Sequence, residues 1–332
     1  MATLPQTIRS LSQPDPLKAE VILTHVPLPT INSPDEHLIR VHATSPCAGE
    51  LGWPTFAGDN FGDEIVPCYD LSGTVVDAPQ DSQFPVGTEI WGRTAVSHPG
   101  NARDYAVAHA RELAVRPSSI DAISAASVPL SAITAVQALF DKGGIVGLDA
   151  DEEARKANAS KRVLIIAASG GVGVWLLQLA REAGVGGIVG VCGPSKVELV
   201  KKLGATETID YSVQSLNQWI GEDESRKVDL VIDCKGGDSL SQAWNCVKDG
   251  GKLLSIVEPT EKRKPEGCEA KDVTNYFFIM DPKGSDLTEV ARLFDEGKVE
   301  TVIDSVFTLE EYKEAFARLD SGRSKGKVLI KL

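Results

Sequence analysis

No stretch of the 332-residue chain reaches eighteen consecutive apolar residues, so a transmembrane helix is not expected. The amino terminus, Met1-Ala2-Thr3-Leu4-Pro5, lacks the basic and apolar blocks of a secretion signal. Cysteine is sparse and scattered: Cys47, Cys68, Cys192, Cys234, Cys246 and Cys268 form no C-x-x-C pair. That spacing argues against a disulfide framework or a zinc clamp and for reduced thiols in a cytosolic chain. Positive charge is in deficit, with 34 Lys and Arg against 47 Asp and Glu and a net charge of −13. A nucleic-acid partner is therefore not expected, because its phosphates would be repelled. A small anionic cofactor can still bind in a local basic pocket. No internal repeat at solenoid spacing is present.

What is there is ordinary in bulk, with 42% hydrophobic and 24% charged residues, and a length that suits two domains. The chain is organised around Val163-Leu164-Ile165-Ile166-Ala167-Ala168-Ser169-Gly170-Gly171-Val172-Gly173, followed by the helically spaced Val174–Ala180. An aliphatic run, a small-residue turn and a helix opening make a dinucleotide fingerprint of the form A-x-G-x-x-G. Ala168, Gly170 and Gly173 hold its small positions, with Ser169, Gly171 and Val172 between them. Gly170 leaves room for a pyrophosphate, and Gly173 lets helix and strand approach. The helix N–H groups would face the phosphates. A purely structural turn is the other reading. The second apolar run, Gly187–Cys192, lies at βαβ distance and favours the cofactor.

Residues 1–125 read as β-rich, with short runs at Val21–Leu23, His37–His42, Leu71–Val76, Glu89–Trp91, Asp104–Ala108 and Leu113–Val115. Ile120–Phe140 has helical spacing broken at Pro129, and 143–161 reads as an acidic surface loop. Helices are expected over 195–203, 212–221 and 239–247, alternating with strands at 228–233 and 251–257. A mobile loop follows over 259–272, then a strand at Tyr276–Met280. Helices at 287–296 and 309–319 lead to a closing strand at 327–332. Such alternation predicts an α/β fold with a doubly wound parallel sheet.

Nicotinamide folds that take NAD usually carry Asp or Glu about 20 residues past the Gly cluster. Here that place reads Gly190-Val191-Cys192-Gly193-Pro194-Ser195-Lys196, without a carboxylate. A hydroxyl and an ammonium would instead welcome a 2′-phosphate, so NADPH is the expected cofactor. Lys196 could also be a solvated first-turn lysine.

Several motifs recur in one order: Ala125-Ala126-Ser127-Val128-Pro129-Leu130 with Thr134-Ala135, then the Gly cluster, then Lys202–Thr206 with Asp210-Tyr211. Val231–Gly237, Asp249–Lys252 and Gly322–Val328 complete the series. Together they resemble the medium-chain dehydrogenase/reductase superfamily, in its zinc-free quinone-oxidoreductase-like branch, over nearly the whole chain. The resemblance implies a Rossmann domain of about 126–302 and a β-rich, chaperonin-10-like catalytic domain of 1–125 with 303–332. Ligand would sit in the cleft between them. Ser195 and Lys196 match the family's 2′-phosphate stretch, and Tyr211 a tyrosine flanking the adenosine. Thr134 and Phe277 match positions at the nicotinamide end, and Lys325 a basic position near the cofactor. Each also has a plain alternative: a helix-satisfied hydroxyl for Thr134, core packing for Phe277 or Phe278, a solvated turn for Lys325.

The family's zinc ligands are departed from. Cys47 lies near the first ligand position, but Gly-His-Glu is replaced by Cys68-Tyr69-Asp70, and the four-cysteine structural lobe is missing. A tyrosine in place of histidine removes a nitrogen ligand, so no metal is expected. Charge developing on a reduced acceptor would then need other donors, for which Tyr69, Cys47 and Glu50 are the candidates. Tyr69 could equally pack beside Leu71–Val76. His42, His98 and His109 show no metal spacing and are assigned no role.

The expected activity is NADPH-dependent reduction of quinones or α,β-unsaturated carbonyls, small-molecule substrates. A trans-acting enoyl reductase of a biosynthetic pathway and a non-catalytic NADPH-binding sensor are the alternatives. The resemblance further implies a homodimer through an edge strand near Tyr276–Met280. Loops 45–65, 93–103 and 259–275 would shape the pocket.

Overall fold

The computed structural model describes residues 4–57, 61, 62 and 64–332. The reading of the first three residues as lacking a signal, and part of the 45–65 loop, lie outside the described residues.

The chain divides into two compact units, one formed by the residues up to Ile133 with Asp281–Leu332, the other by Thr134–Met280. The sequence reading put the divisions at 125/126 and 302/303. The structure assigns more of the chain to the first unit, for identifiable reasons. The backbone N–H of Leu130 donates to buried Asp70 at 2.6 Å. The ring of Phe294 meets the buried Trp91 edge-on at 5.9 Å. Gly284 lies so close to Leu113 that a Cβ there would be 2.1 Å from its carbonyl oxygen.

Seven strands precede the division: β1 (Thr7–Ser12), β2 (Ile22–Pro27), β3 (Glu36–Thr44), β4 (Asp70–Asp77), β5 (Glu89–Arg93), β6 (Tyr105–His109) and β7 (Leu113–Val115). The second unit holds β8 (Arg162–Ile166), β9 (Gly187–Cys192), β10 (Glu207–Asp210), β11 (Val228–Asp233), β12 (Val247–Ser255) and β13 (Thr274–Phe277). The chain ends with β14 (Ile303–Thr308) and β15 (Lys327–Lys331).

In the first unit, β14-β15-β3-β4-β5-β7 form one sheet, with β6 also paired to β3, while β1 and β2 make a separate ribbon. All pairings there are antiparallel except β14 with β15. The returning segment belongs to its core: Val328 and Ile330 pack with Leu11, Cys68, Tyr312 and Phe316. Burial of each such aliphatic side chain stabilises by about 1.5–3 kcal/mol.

In the second unit the sheet runs β10-β9-β8-β11-β12-β13, entirely parallel. Val163, Leu164, Ile165 and Ile166 of β8 are all buried, as a central strand covered on both faces requires. The fold class is therefore α/β with a doubly wound parallel sheet and a separate, mostly antiparallel β-rich unit.

Three strands were not foreseen: β1, β10 and β14. β10 is short and buries only Ile209 of its four residues, β14 buries none fully, and β1 mixes polar and apolar side chains without a long aliphatic run. The helix expected at 212–221 is confined to Leu216–Ile220, because Ser215 caps it with Gln218 answering. The 143–161 stretch contains two helical turns, Glu152–Arg155 and Lys156–Ser160, the first capped by Asp151. The expected strand at 276–280 is instead Thr274–Phe277, and the expected helix over 239–247 stops at Ala243 before β12 begins. Pro129 opens a helix, Pro129–Val136, as the break there foretold.

Candidate functional site

In the parallel sheet the strand order reverses at β8, whose neighbours are β9 and β11. Ligands of such sheets bind beyond the carboxyl ends at that point. There β8 runs into Ala167, held at φ 60°, and the small-residue turn. A Cβ on Gly173 would stand 2.4 Å from the Ala167 carbonyl oxygen, so no larger residue fits. Gly170 N–H closes the turn on the Ala167 carbonyl at 2.9 Å, and Ala168 N–H bonds Val191 O at 2.9 Å. The N–H groups of Gly171, Val172 and Gly173 take no acceptor among the described residues. They crown the helix Gly173–Glu182, whose positive end favours a phosphate. Ser169 is half-buried beside them.

At the end of β9 the chain turns through Pro194–Lys196, with Lys196 N–H bonded to Gly193 O at 3.0 Å. Ser195 is exposed and Lys196 half-buried. The phenol oxygen of Tyr211 lies 3.0 Å from where a Cβ on Gly193 would stand, so β10 delivers its tyrosine to this same turn. Asp210 pairs in register with Cys192, but its Oδ1 accepts from Ser212 N and Oγ at 2.9 and 2.7 Å. At the end of β11, buried Asp233 accepts from Gly236 N at 3.0 Å and Ser255 Oγ at 2.8 Å, bracing the adjoining turn. Burial raises its pKa. Thr134 is buried on its helix, and Phe277, on β13 beside Ser255, is 36% exposed.

The β-rich unit holds a buried polar cluster where β4 begins. Cys68 takes a left-handed conformation, φ 69°, that aims its N–H at Glu50 Oε1, 3.2 Å away, with its Sγ at 3.6 Å. Glu50 is buried, and its Oε2 has no hydrogen-bond partner. Burial pushes its pKa up to about 8, against backbone hydrogen bonding and the charge of Lys327. Cys47, half-buried, is pushed up to about 11 by burial. The Tyr69 ring stacks on Trp53 at 5.8 Å, meets Phe61 edge-on at 6.4 Å and carries the Arg93 guanidinium 5.6 Å from its centroid. Burial raises the phenol's pKa as well, so it stays protonated. Asp70 accepts from Leu130 N–H on Oδ1 at 2.6 Å, and its Oδ2 forms an ion pair with Lys327 Nζ at 3.0 Å. Burial acts to lower Lys327, but Asp70 and Cys47 outweigh it and its pKa is raised.

This donor set does not fit a zinc ion. Asp70 Oδ1 is taken by Leu130 N–H, its Oδ2 is paired with the Lys327 ammonium, Glu50 Oε1 is engaged by Cys68, and that buried ammonium contributes positive charge to the cluster. Among the described residues no three His, Cys, Asp or Glu side chains converge to hold a metal. His98 and His109 lie with ring centroids 4.4 Å apart, without a third ligand among the described residues. All six cysteines are free thiols.

Within the β-rich unit, then, Cys47, Glu50 and Tyr69 are brought to one cluster. Lys325 is exposed on the turn before β15, its N–H bonded to Asp304 Oδ1 at 3.1 Å. Within the nucleotide unit, Ala168–Gly173 form one turn, and Ser195, Lys196 and Tyr211 share another. The sequence reading missed Lys327, Arg93 and Asp233 as site groups. Each is a charged residue at the end of an apolar strand run, which is the signal that was available.

A doubly wound dinucleotide-type sheet, joined in one chain to a β-rich unit with a buried acid, thiol and phenol, is the makeup of a two-unit dehydrogenase/reductase. A family model described as zinc-binding dehydrogenase matches residues 203–330. A protein of Arthroderma benhamiae named "Probable zinc-binding oxidoreductase, mitochondrial" is 45% identical over 333 residues, spanning 100% of this chain and 99% of its own. The chloroplast envelope quinone oxidoreductase homolog of Arabidopsis thaliana is 30% identical over 318 residues, 92% of each chain. Among solved structures, the quinone oxidoreductase from Coxiella burnetii superposes with a TM-score of 0.84 at 25% identity, covering 98% of this chain and 99% of that one. The chain belongs to the medium-chain dehydrogenase/reductase superfamily, in its quinone-oxidoreductase-like branch.

Proposed function

We propose that the protein is an NADPH-dependent reductase of quinones or α,β-unsaturated carbonyls that works without a metal. The observation that carries this is the turn after β9: no carboxylate stands at the strand end, while Ser195 and Lys196 are on it and Tyr211 lies against it. A nicotinamide cofactor, when bound, supplies a hydride. The N–H groups of Gly171, Val172 and Gly173 hold its pyrophosphate, and Ser195 with Lys196 binds the 2′-phosphate by charge-assisted hydrogen bonds. Lys196 and the absent acid together favour the phosphorylated form over NADH.

In the β-rich unit the phenol of Tyr69, protonated throughout the working range, donates a hydrogen bond to the acceptor's oxygen as charge develops there. Glu50 holds a proton on its carboxyl at neutral pH and can release it, with Cys47 a neutral thiol beside it. The fit to small acceptors draws support from relatives named as quinone oxidoreductases. We propose further that the exposed edge of β13 pairs two copies into a homodimer.

The test is NADPH oxidation by purified protein with quinones, enones and enoyl thioesters, NADH in parallel. Turnover preferring NADPH is expected. Saturable NADPH binding with no turnover on any acceptor would favour a sensor instead.

A further inference from the structure

Arg93 ends β5 at 4% exposure, yet no carboxylate, carbonyl or hydroxyl among the described residues accepts a hydrogen bond from it, and its Nε is sealed off without a partner. A guanidinium has five N–H donors, and one sealed from water without an acceptor keeps its full desolvation penalty. Buried polar groups in folded proteins almost always find partners, so this one calls for an explanation.

Its neighbours are turned to other groups. Asp70 stands directly across the β4–β5 pair, but its Oδ1 accepts from Leu130 N–H and its Oδ2 faces the Lys327 ammonium in an ion pair, with no hydrogen bond to Arg93. Both oxygens of Glu112 are bonded to the N–H groups of Ala95 and His109, at 2.8 and 2.9 Å. What Arg93 does touch is the π face of Tyr69, itself backed by Trp53. That contact orients the planar group without satisfying its edge. Arg93 is thus a fixed fork, lying on an aromatic platform next to the candidate donors Tyr69 and Cys47, with its donors unspent.

We propose that Arg93 anchors an anionic oxygen of the acceptor. Two sources share this chemistry: a carboxylate that the acceptor carries, and the enolate or quinol oxygen that reduction creates. In the second case a reduced nicotinamide would give up its hydride to the β-carbon and be oxidised, the alkene pair would shift to the carbonyl oxygen as an enolate that Arg93 receives, and a proton from solvent would then add at the α-carbon. The proposal rests on the reductase reading for its second source only; carboxylate binding stands without turnover.

The test compares wild type with Arg93→Gln and Arg93→Lys in two ways. Benzoate is titrated calorimetrically, and kcat and KM are measured for 4-oxopent-2-enoate and its neutral methyl ester. If the acceptor carries the charge, Arg93→Gln loses benzoate binding and about tenfold to a hundredfold of kcat/KM on the acid, sparing the ester, as the loss of a charged hydrogen bond implies. If the charge arises in the reaction, kcat falls on both acceptors with KM little changed. In either case Arg93→Lys restores part of the loss. Thermal unfolding is the control for a structural role: Arg93→Gln is expected to melt at or above the wild-type temperature, because an unmatched buried charge has been removed. Unchanged benzoate binding, or none in either protein, together with unchanged kinetics on both acceptors overturns the proposal. Should the protein reduce neither acceptor, the reductase reading fails separately and the Arg93-dependence of benzoate binding alone decides this one.

Discussion

Lys327 Nζ lies 3.0 Å from Asp70 Oδ2, and both side chains are buried. The pair ties the last strand, β15, to the start of β4, while the other Asp70 oxygen holds the backbone of Leu130. Three segments far apart in sequence thus meet on one carboxylate. Breaking such a pair from one side leaves a buried charge uncompensated. Lys327→Met should therefore cost about 3–5 kcal/mol in urea unfolding, and adding Asp70→Asn should recover part of it. A single-mutant loss below about 1 kcal/mol would contradict this.

Glu50 gives the fold a pH dependence of its own. Its folded pKa is raised by burial to about 8, above the ordinary carboxylate value of 4.5. Between those values the unfolded chain loses this proton while the folded protein keeps it. Stability from this group is therefore complete below about pH 4.5 and falls as pH rises toward 8, at up to about 1.4 kcal/mol per pH unit. Glu50→Gln should flatten that slope between pH 5 and pH 8. Parallel profiles for the two proteins, followed by denaturant midpoint, would rule the assignment out.

Gly173→Ala is expected to damage both fold and cofactor binding, because its Cβ would lie 2.4 Å from a backbone oxygen that cannot retreat. Overpacking of this kind costs about 1–3 kcal/mol. Thermal unfolding and NADPH titration should both register it; a variant with wild-type values in both would show that the turn can open.

Lys196→Ala should weaken NADPH by about tenfold or more while leaving NADH nearly unchanged, the loss of one charge-assisted contact to a phosphate. Fluorescence titration with each cofactor checks it. Equal weakening of the two would remove Lys196 from the 2′-phosphate site.

The nucleotide unit was legible in the sequence because its signals are local. An aliphatic run, then Ala168, Gly170 and Gly173, then an apolar helical stripe can only be a tight strand–turn–helix, and the later alternation sets a parallel sheet. Lys196 was singled out by its place past β9 where no carboxylate stands, and Tyr211 only through the family resemblance; the structure sets both at one turn. The β-rich unit was less so. Nothing in the helix Leu287–Asp295 tells which unit its apolar stripe will cover, and only the packing of Phe294 on Trp91 decides it. The partners of Asp70 come from Leu130 and Lys327, and no periodicity links such distant positions. Arg93 was hidden for the same reason: as the end of a strand it reads as a solvated charge until the register sets it across from Asp70.

Direct hydride transfer from NADPH to an electron-poor acceptor can be followed with NADPH deuterated at the nicotinamide C4, an enone acceptor, and mass and NMR analysis of the product. Deuterium at the β-carbon of the saturated ketone is the predicted result. A reduced product without label from either C4 face, or saturable NADPH binding with no product, would contradict it.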